Sequence, residues 1–373
     1  MGEHNLARKN ALGDRHHTAR GASARIPALD IIRGYCIVSM ITGHLAAGSL
    51  IARATHVFPQ FDGASGFVLL SGLVLGIVQS RSVHRVQLRR IQCATLARVA
   101  LIYLAQSAIV LLGLALLLLG TRTHANVPPT EGRGLAELTF SAITMSLAPP
   151  AGSVLRLYVV FLLLAMGAYW LLKRGRWVEV LAASGAVYGL GIACREYTSF
   201  VAFDGETRGA NWAMWQLLFI SALVLGWHWE RLGADHFLRR WRWALLVAYL
   251  PVGGVVLLAG RLAPELFDKI DVTVLRIAVA YATLAFLYAA VEIVLPVTPR
   301  AVVRPIELIG QRSLDSYIIQ ASVAVIVPSF IVLHPHSPAS QLLAVVTVVA
   351  CWEWARWRVR RSTSGREAAP QPG

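Results

Sequence analysis

One apolar segment, ALDIIRGYCIVSMITGHLAAGSLIA, contains both an arginine and a histidine, Arg33 and His44. Ionisable groups are costly inside a hydrophobic span and by default mark function. The eleven-residue spacing between them corresponds on an α-helix to a rotation of about 1100°, roughly 20° beyond three full turns, and a rise of about 16 Å. The guanidinium and the imidazole therefore share one helix face, separated by about half a bilayer core, and could hold the two ends of one long ligand. Histidine is the side chain best suited to take and return a proton near neutral pH. The chemistry this pair suggests is acid–base work at His44, with a fixed positive charge at Arg33.

Other polar residues stand where they could support that pair. Asp30, three residues before Arg33 and on the same side of a helix, can pair with it; the alternative is that both reach to the headgroups. Asp62 opens a second apolar segment, GASGFVLLSGLVLG, whose Ser65, Gly66, Ser71, Gly72 and Gly76 form a small-residue face that lets helices approach closely. Ser71 could add a hydroxyl to a polar pathway, but no base-plus-orienter pattern makes it a nucleophile. Arg89, Arg90, Arg304 and Arg312 could gather a polyphosphate, or they are ordinary loop charge. Trp212, Trp215, Gln216, Asp315 and Tyr317 are candidates for lining an acceptor site, with helix packing and interfacial anchoring as the alternative reading. The four cysteines, Cys36, Cys93, Cys194 and Cys351, have neither CxxC pairing nor metal-ligand spacing, so no metal site is expected.

These residues need a scaffold, and composition names its class. The chain is 56% hydrophobic and only 15% charged, against about 25% charged in soluble domains, and its mean hydropathy is +0.58. Apolar runs fall near 28–50, 62–79, 94–120, 154–172, 178–194, 213–229, 244–260, 274–295, 313–333 and 340–355. They predict an all-α, polytopic membrane bundle of about ten transmembrane helices in one domain, residues 26–356. A basic tail, 1–25, precedes it and a polar tail, 357–373, follows. The tail 1–25 lacks the apolar core of a secretory signal.

The net charge of +15 comes almost wholly from arginine. It lies in short loops between spans, where topology explains it better than nucleic acid does. By count, 24 of the 35 Lys and Arg fall in the two tails and alternate loops, and 8 in the opposite set. The positive-inside rule then puts both termini in the cytosol. The opposite loops, 121–153 and 195–212, are the longer ones, and LAELTFSAITMSL (135–147) is expected to be a short helix on or in the membrane surface.

With these residues in hand, the chain resembles the membrane acyltransferases that carry an Arg, ten residues, then a His in their first span. Within that superfamily it is most similar to the OpgC branch, whose members succinylate periplasmic glucans. The resemblance rests on RIPALDIIRGYCIVSMITGH, FVLLSGLVLG, VLRLYVVFLLLA, NWAMWQLLFISALVLGW and LIGQRSLDSYIIQ, covering about residues 25–325. It implies a bacterial inner-membrane enzyme that transfers an acyl group, succinyl in that branch, from cytosolic acyl-CoA to an extracytoplasmic glycan, with no bound cofactor. His44 would be the general base and Arg33 the donor-side residue. Asp30 would orient Arg33, Asp62 would act on His44, and Arg89, Arg90, Arg304 and Arg312 would meet the donor. Ser65 stands where that branch places a carboxylate, so the acyl chain stays open, as does acetyl transfer to a lipid-linked sugar. From the residues alone, a transporter or flippase is the alternative; an inverted internal repeat would support it, and none is visible.

Overall fold

A computed structural model describes residues 25–58, 60–127, 134–201, 208–334 and 336–367. The expected tail 1–25 lies almost wholly outside them, as do the last six residues. All ten apolar runs fall on helices: α1 (Pro27–Leu45), α3 (Gly63–Val83), α4 (Leu88–Leu118), α6 (Ser153–Lys173), α7 (Trp177–Ala193), α9 (Trp212–Trp227), α11 (Arg242–Leu262), α12 (Val274–Val294), α14 (Ser313–Phe330) and α15 (Pro338–Glu367). Among the described residues, seven helices are long and apolar enough to cross a membrane, each with an 18-residue apolar window. α1 is not among them and carries Asp30, Arg33 and His44. At 17 and 16 residues, α7 and α9 are shorter than the others, with a rise of roughly 25 Å against a core of about 30 Å. The chain is a helical membrane protein.

Local chemistry sets the helix ends. Pro27 opens α1 at a position where its missing N–H costs nothing. Asp62, Asn211 and Thr273 cap α3, α9 and α12 by accepting backbone N–H groups with their side chains. Gly120, Gly175 and Gly233 take positive φ in turns between helices. The last helix continues to Glu367, past the expected end of the membrane segment near 356. Arg356 and Arg361 lie over the Trp352 and Trp357 rings one turn earlier on the same helix.

One face of the bundle, here called lower, carries the start of α1 and short connections, among them α10 (Ala234–Arg240) and α13 (Arg300–Gln311). The opposite, upper face carries the extra structure: α2 (Leu50–Thr55), α5 (Leu135–Ile143), the short α8 (Arg195–Thr198), 3₁₀ turns at Pro150–Gly152 and Pro264–Phe267, and a two-stranded antiparallel hairpin, β1 (Ser199–Val201) with β2 (Arg208–Asn211). The helix expected within 135–147 is α5, whose Leu138 and Ala142 pack against Val110 and Leu114 of α4.

α3 and α9 form the centre, buried on nearly every side. Their contact is backbone against backbone: a Cβ added at Gly72 would lie 2.2 Å from the Phe219 carbonyl oxygen, and one at Gly226 2.0 Å from that of Leu73. α1 meets α13 equally closely, since a Cβ at Gly34 would lie 2.0 Å from the Ile306 carbonyl oxygen and one at Gly310 1.8 Å from that of Asp30. The small-residue face read on α3 is thus a packing face. The periphery is apolar, with Leu101, Leu104, Leu163, Leu250, Val255 and Val346 exposed as a lipid-facing surface would require. Only Tyr249 is buried in α11.

Gly34→Ala and Gly310→Ala should each destabilise the protein by about 1–3 kcal/mol, since neither backbone can yield without parting the helices. Gly185→Ala, with nothing within 4 Å of the added methyl, should be neutral or stabilising. Thermal unfolding of detergent-solubilised protein measures all three, and indistinguishable midpoints would contradict the packing described.

Candidate functional site

α1 presents Arg33 and His44 to two different cavities. The upper one, about 410 Å³, is lined by His44, His56, Asp62, Arg156, Trp215 and Lys269, with Gly43, Ser153, Leu157 and the hairpin's Gly209 completing its wall. His44 lies in the last turn of α1 and is exposed within this space. Its ring makes no hydrogen bond among the described residues, so both nitrogens can engage a ligand. His56, just past α2, is more tightly held. Its Nδ1 lies 2.9 Å from the Ala52 carbonyl, which can only accept, so Nδ1 carries the proton. Nε2 is left as an acceptor 3.4 Å from Ser39 Oγ.

Asp62 ties the upper cavity to the fold. Its Oδ1 accepts from the Ser65 N–H at 2.8 Å and lies 3.5 Å from Arg276, while Oδ2 pairs with Lys269. Arg276 is itself buried, donating to the Phe267 carbonyl at 2.7 Å and to Ser65 Oγ at 3.4 Å. Asp62 shares the cavity with His44 but makes no hydrogen bond to it; its oxygens go to the helix cap and the two cations. The expected orientation of His44 by Asp62 is therefore not a contact, and what Asp62 supplies is a negative charge close by.

The lower cavity, about 130 Å³, is lined by Arg33, Ser71, Gln79, Arg98, Tyr158 and Ser313 among apolar side chains. The Arg33 guanidinium reaches across to α3 and donates to the Leu70 carbonyl at 3.2 Å, while its Nε is buried without a partner. Arg33 forms no ion pair with Asp30. Asp30 lies instead where α1 meets α13: the Gly310 crossing covers its backbone and its Oδ2 is buried without a partner. The expected pairing is therefore not a direct ion pair, because the guanidinium turns to the Leu70 carbonyl instead.

An aromatic layer separates the cavities. Phe67 of α3 has Tyr158 of α6 at 5.3 Å and Tyr317 of α14 at 5.9 Å between ring centroids. Tyr158 donates to the Phe67 carbonyl at 2.9 Å and also packs on Phe161 and Phe219. Tyr317, expected as an acceptor-site candidate, belongs to this layer and lines neither cavity.

The remaining candidates divide. Ser71 lines the lower cavity with Arg33. Trp215 lines the upper one, its indole N–H donating to the Lys269 carbonyl at 3.0 Å. Gln216 is buried interhelical glue, accepting from Ser184 Oγ and donating to the Ser184 carbonyl, both at 2.8 Å. Trp212 packs half-buried outside the cavity. Asp315 fastens α14 to α15, accepting from the Trp354 indole at 3.2 Å with Arg358 at 3.6 Å.

Arg89, Arg90, Arg304 and Arg312 all stand on the lower face and none lines the lower cavity. The first three are exposed, Arg304 is paired with Glu307 at 3.0 Å, and Arg312 caps the end of α13. Arg98, which the sequence did not single out, is the second cation of that cavity. His56, Arg156 and Lys269 were also missed. His56 and Lys269 lie in connecting segments that only folding brings to His44, but Arg156 lies inside an apolar span and carried the same signal as Arg33.

A family model described as OpgC protein matches residues 25–363. No curated protein and no solved structure matches the chain.

Asp62→Asn removes the charge facing Arg276 and Lys269 but keeps a capping oxygen, whereas Asp62→Ala removes both. Both variants should be less stable than the wild type, the alanine form by about a further 1 kcal/mol. Denaturation in detergent measures this order, and equal stability of all three proteins would contradict the anchoring role.

Proposed function

The chain belongs to the OpgC protein family, and on that footing we propose a membrane O-acyltransferase that moves an acyl group from acyl-CoA to a glycan hydroxyl. The lower face is read as cytosolic, with ten helices crossing a bacterial inner membrane and both termini inside. The threefold bias of Lys and Arg toward the lower-face segments supports this orientation. A nucleotide thioester is made in the cytosol, so it would enter from below. The acceptor would arrive from above.

One observation carries the reading: Arg33 and His44, on one face of α1, open into separate cavities toward opposite faces. Arg33, with Arg98 and the Ser71 hydroxyl, would hold the donor below. His44 would take the proton of the glycan hydroxyl above, and the resulting oxygen nucleophile would attack the thioester carbonyl. The C–S bond then breaks, and the imidazolium returns its proton to the departing thiolate. His56 Nε2, 3.4 Å from Ser39 Oγ, would exchange that partner for a sugar hydroxyl. For the acyl arm to pass, Phe67, Tyr158 and Tyr317 must part.

Transfer from labelled acyl-CoA by purified protein tests this. His44→Ala should lose about 10²–10⁴-fold of the rate, the range for a positioned general base. Arg33→Ala should raise the KM for acyl-CoA more than it lowers kcat. A folded His44→Ala protein that transfers at the wild-type rate would overturn the role, and transport of intact glycan without release of CoA would favour a flippase.

A further inference from the structure

Arg156 lies in the first turn of α6, only 2% exposed, against the upper cavity. Its Nη1 donates to two backbone carbonyls, Ser146 at 3.2 Å and Val201 at 3.0 Å, and its guanidinium carbon sits 4.4 Å from the centre of the Phe200 ring. These contacts hold the group in place without neutralising it. No carboxylate pairs with it among the described residues, and its Nε is buried without a partner. Among the described residues, the one acidic residue lining the cavity, Asp62, is engaged with Lys269 and Arg276. A buried cation without a counter-ion is strongly unfavourable, and a fixed guanidinium is the group best matched to a carboxylate.

We propose that Arg156 anchors an anion subsite in the upper cavity that receives a carboxylate on the ligand brought to His44. This rests on the acyltransferase reading and deepens it. The carboxylate has two sources: the far end of a dicarboxylic acyl chain, or an acidic sugar of the acceptor. Lys269, which also lines the cavity and whose side chain is 58% exposed, adds a second positive charge without a fixed fork. The Ser146 and Val201 carbonyls belong to two upper connections, so Arg156 also holds those connections against α6 and sets the subsite's shape.

The test uses the full-length protein in detergent, with succinate and its neutral analogue succinamide as probes of thermal unfolding. Succinate should stabilise the wild type and succinamide should not. Arg156→Gln should weaken the apparent succinate affinity at least tenfold, and Arg156→Lys, which keeps the charge but loses the fork, should fall between. If the glutamine form does not fold, the lysine form carries the comparison, with weakened succinate affinity still expected. Equal succinate affinity in wild type and variant, or equal effects of the two probes on the wild type, would overturn the subsite.

Acyl transfer then locates the carboxylate. If the variant loses preference for succinyl-CoA over butyryl-CoA, the carboxylate sits on the acyl chain; if it loses preference for an acidic over a neutral glycan, it sits on the acceptor. Succinate binding is read without turnover. A protein that binds succinate through Arg156 yet transfers no acyl group would therefore overturn the acyltransferase reading and leave the subsite standing.

Discussion

Everything in this fold depends on helices that touch through their backbones. Between helices in lipid there is no hydrophobic driving force, so close packing has to supply the cohesion. Gly72 and Gly226 let α3 and α9 meet carbonyl to Cα, and Gly34 and Gly310 do the same for α1 and α13. Because α1 is pressed between these partners, the orientation of its faces is fixed. Arg33 reaches the Leu70 carbonyl on α3, and His44, three turns later, opens on the other side of the aromatic layer.

That layer turns a shared helix face into two separate environments. Below it, Arg33 and Arg98 stand among apolar walls with Ser71. Above it, His44 and His56 share a larger space with Asp62, Arg156 and Lys269. The upper connections furnish much of this second set, which is why that face carries the hairpin, α2 and the 3₁₀ turns. Asn211 shows how they are tied down: its side-chain oxygen caps α9 at Ala213 and Met214, while its amide donates to the Gly191 carbonyl and to Asp271. Asp271 in turn lies 3.2 Å from Arg208 of β2 and 3.6 Å from Arg195, so two upper connections, the one between α7 and α9 and the one between α11 and α12, share one polar knot.

The sequence was most legible where periodicity and composition report directly on burial. The ten apolar runs, the small-residue face of α3 and the helix within 135–147 could all be read in advance. So could the shared face of Arg33 and His44, because spacing on one helix needs no tertiary information. Contacts between elements could not. Asp30 sits at the right offset from Arg33, yet the guanidinium turns to the Leu70 carbonyl on α3. Asp62 stands near His44 but is claimed by Lys269 and Arg276, which lie more than two hundred residues away in sequence. The loop arginines looked like a donor site because charge count does not report direction, and Arg98, deeper in α4, is the one that lines the lower cavity.

The most direct test of a two-sided site is acyl transfer in proteoliposomes of known orientation, sorted by protease access to a tag on the N-terminus. Acyl-CoA is supplied on one side of the bilayer and glycan on the other. Product should form when the donor is on the side of the α1 N-terminus and the acceptor opposite, and not in the reverse arrangement. Equal product in both arrangements, or product only when donor and acceptor share a side, would contradict a path from Arg33 to His44 through the bundle.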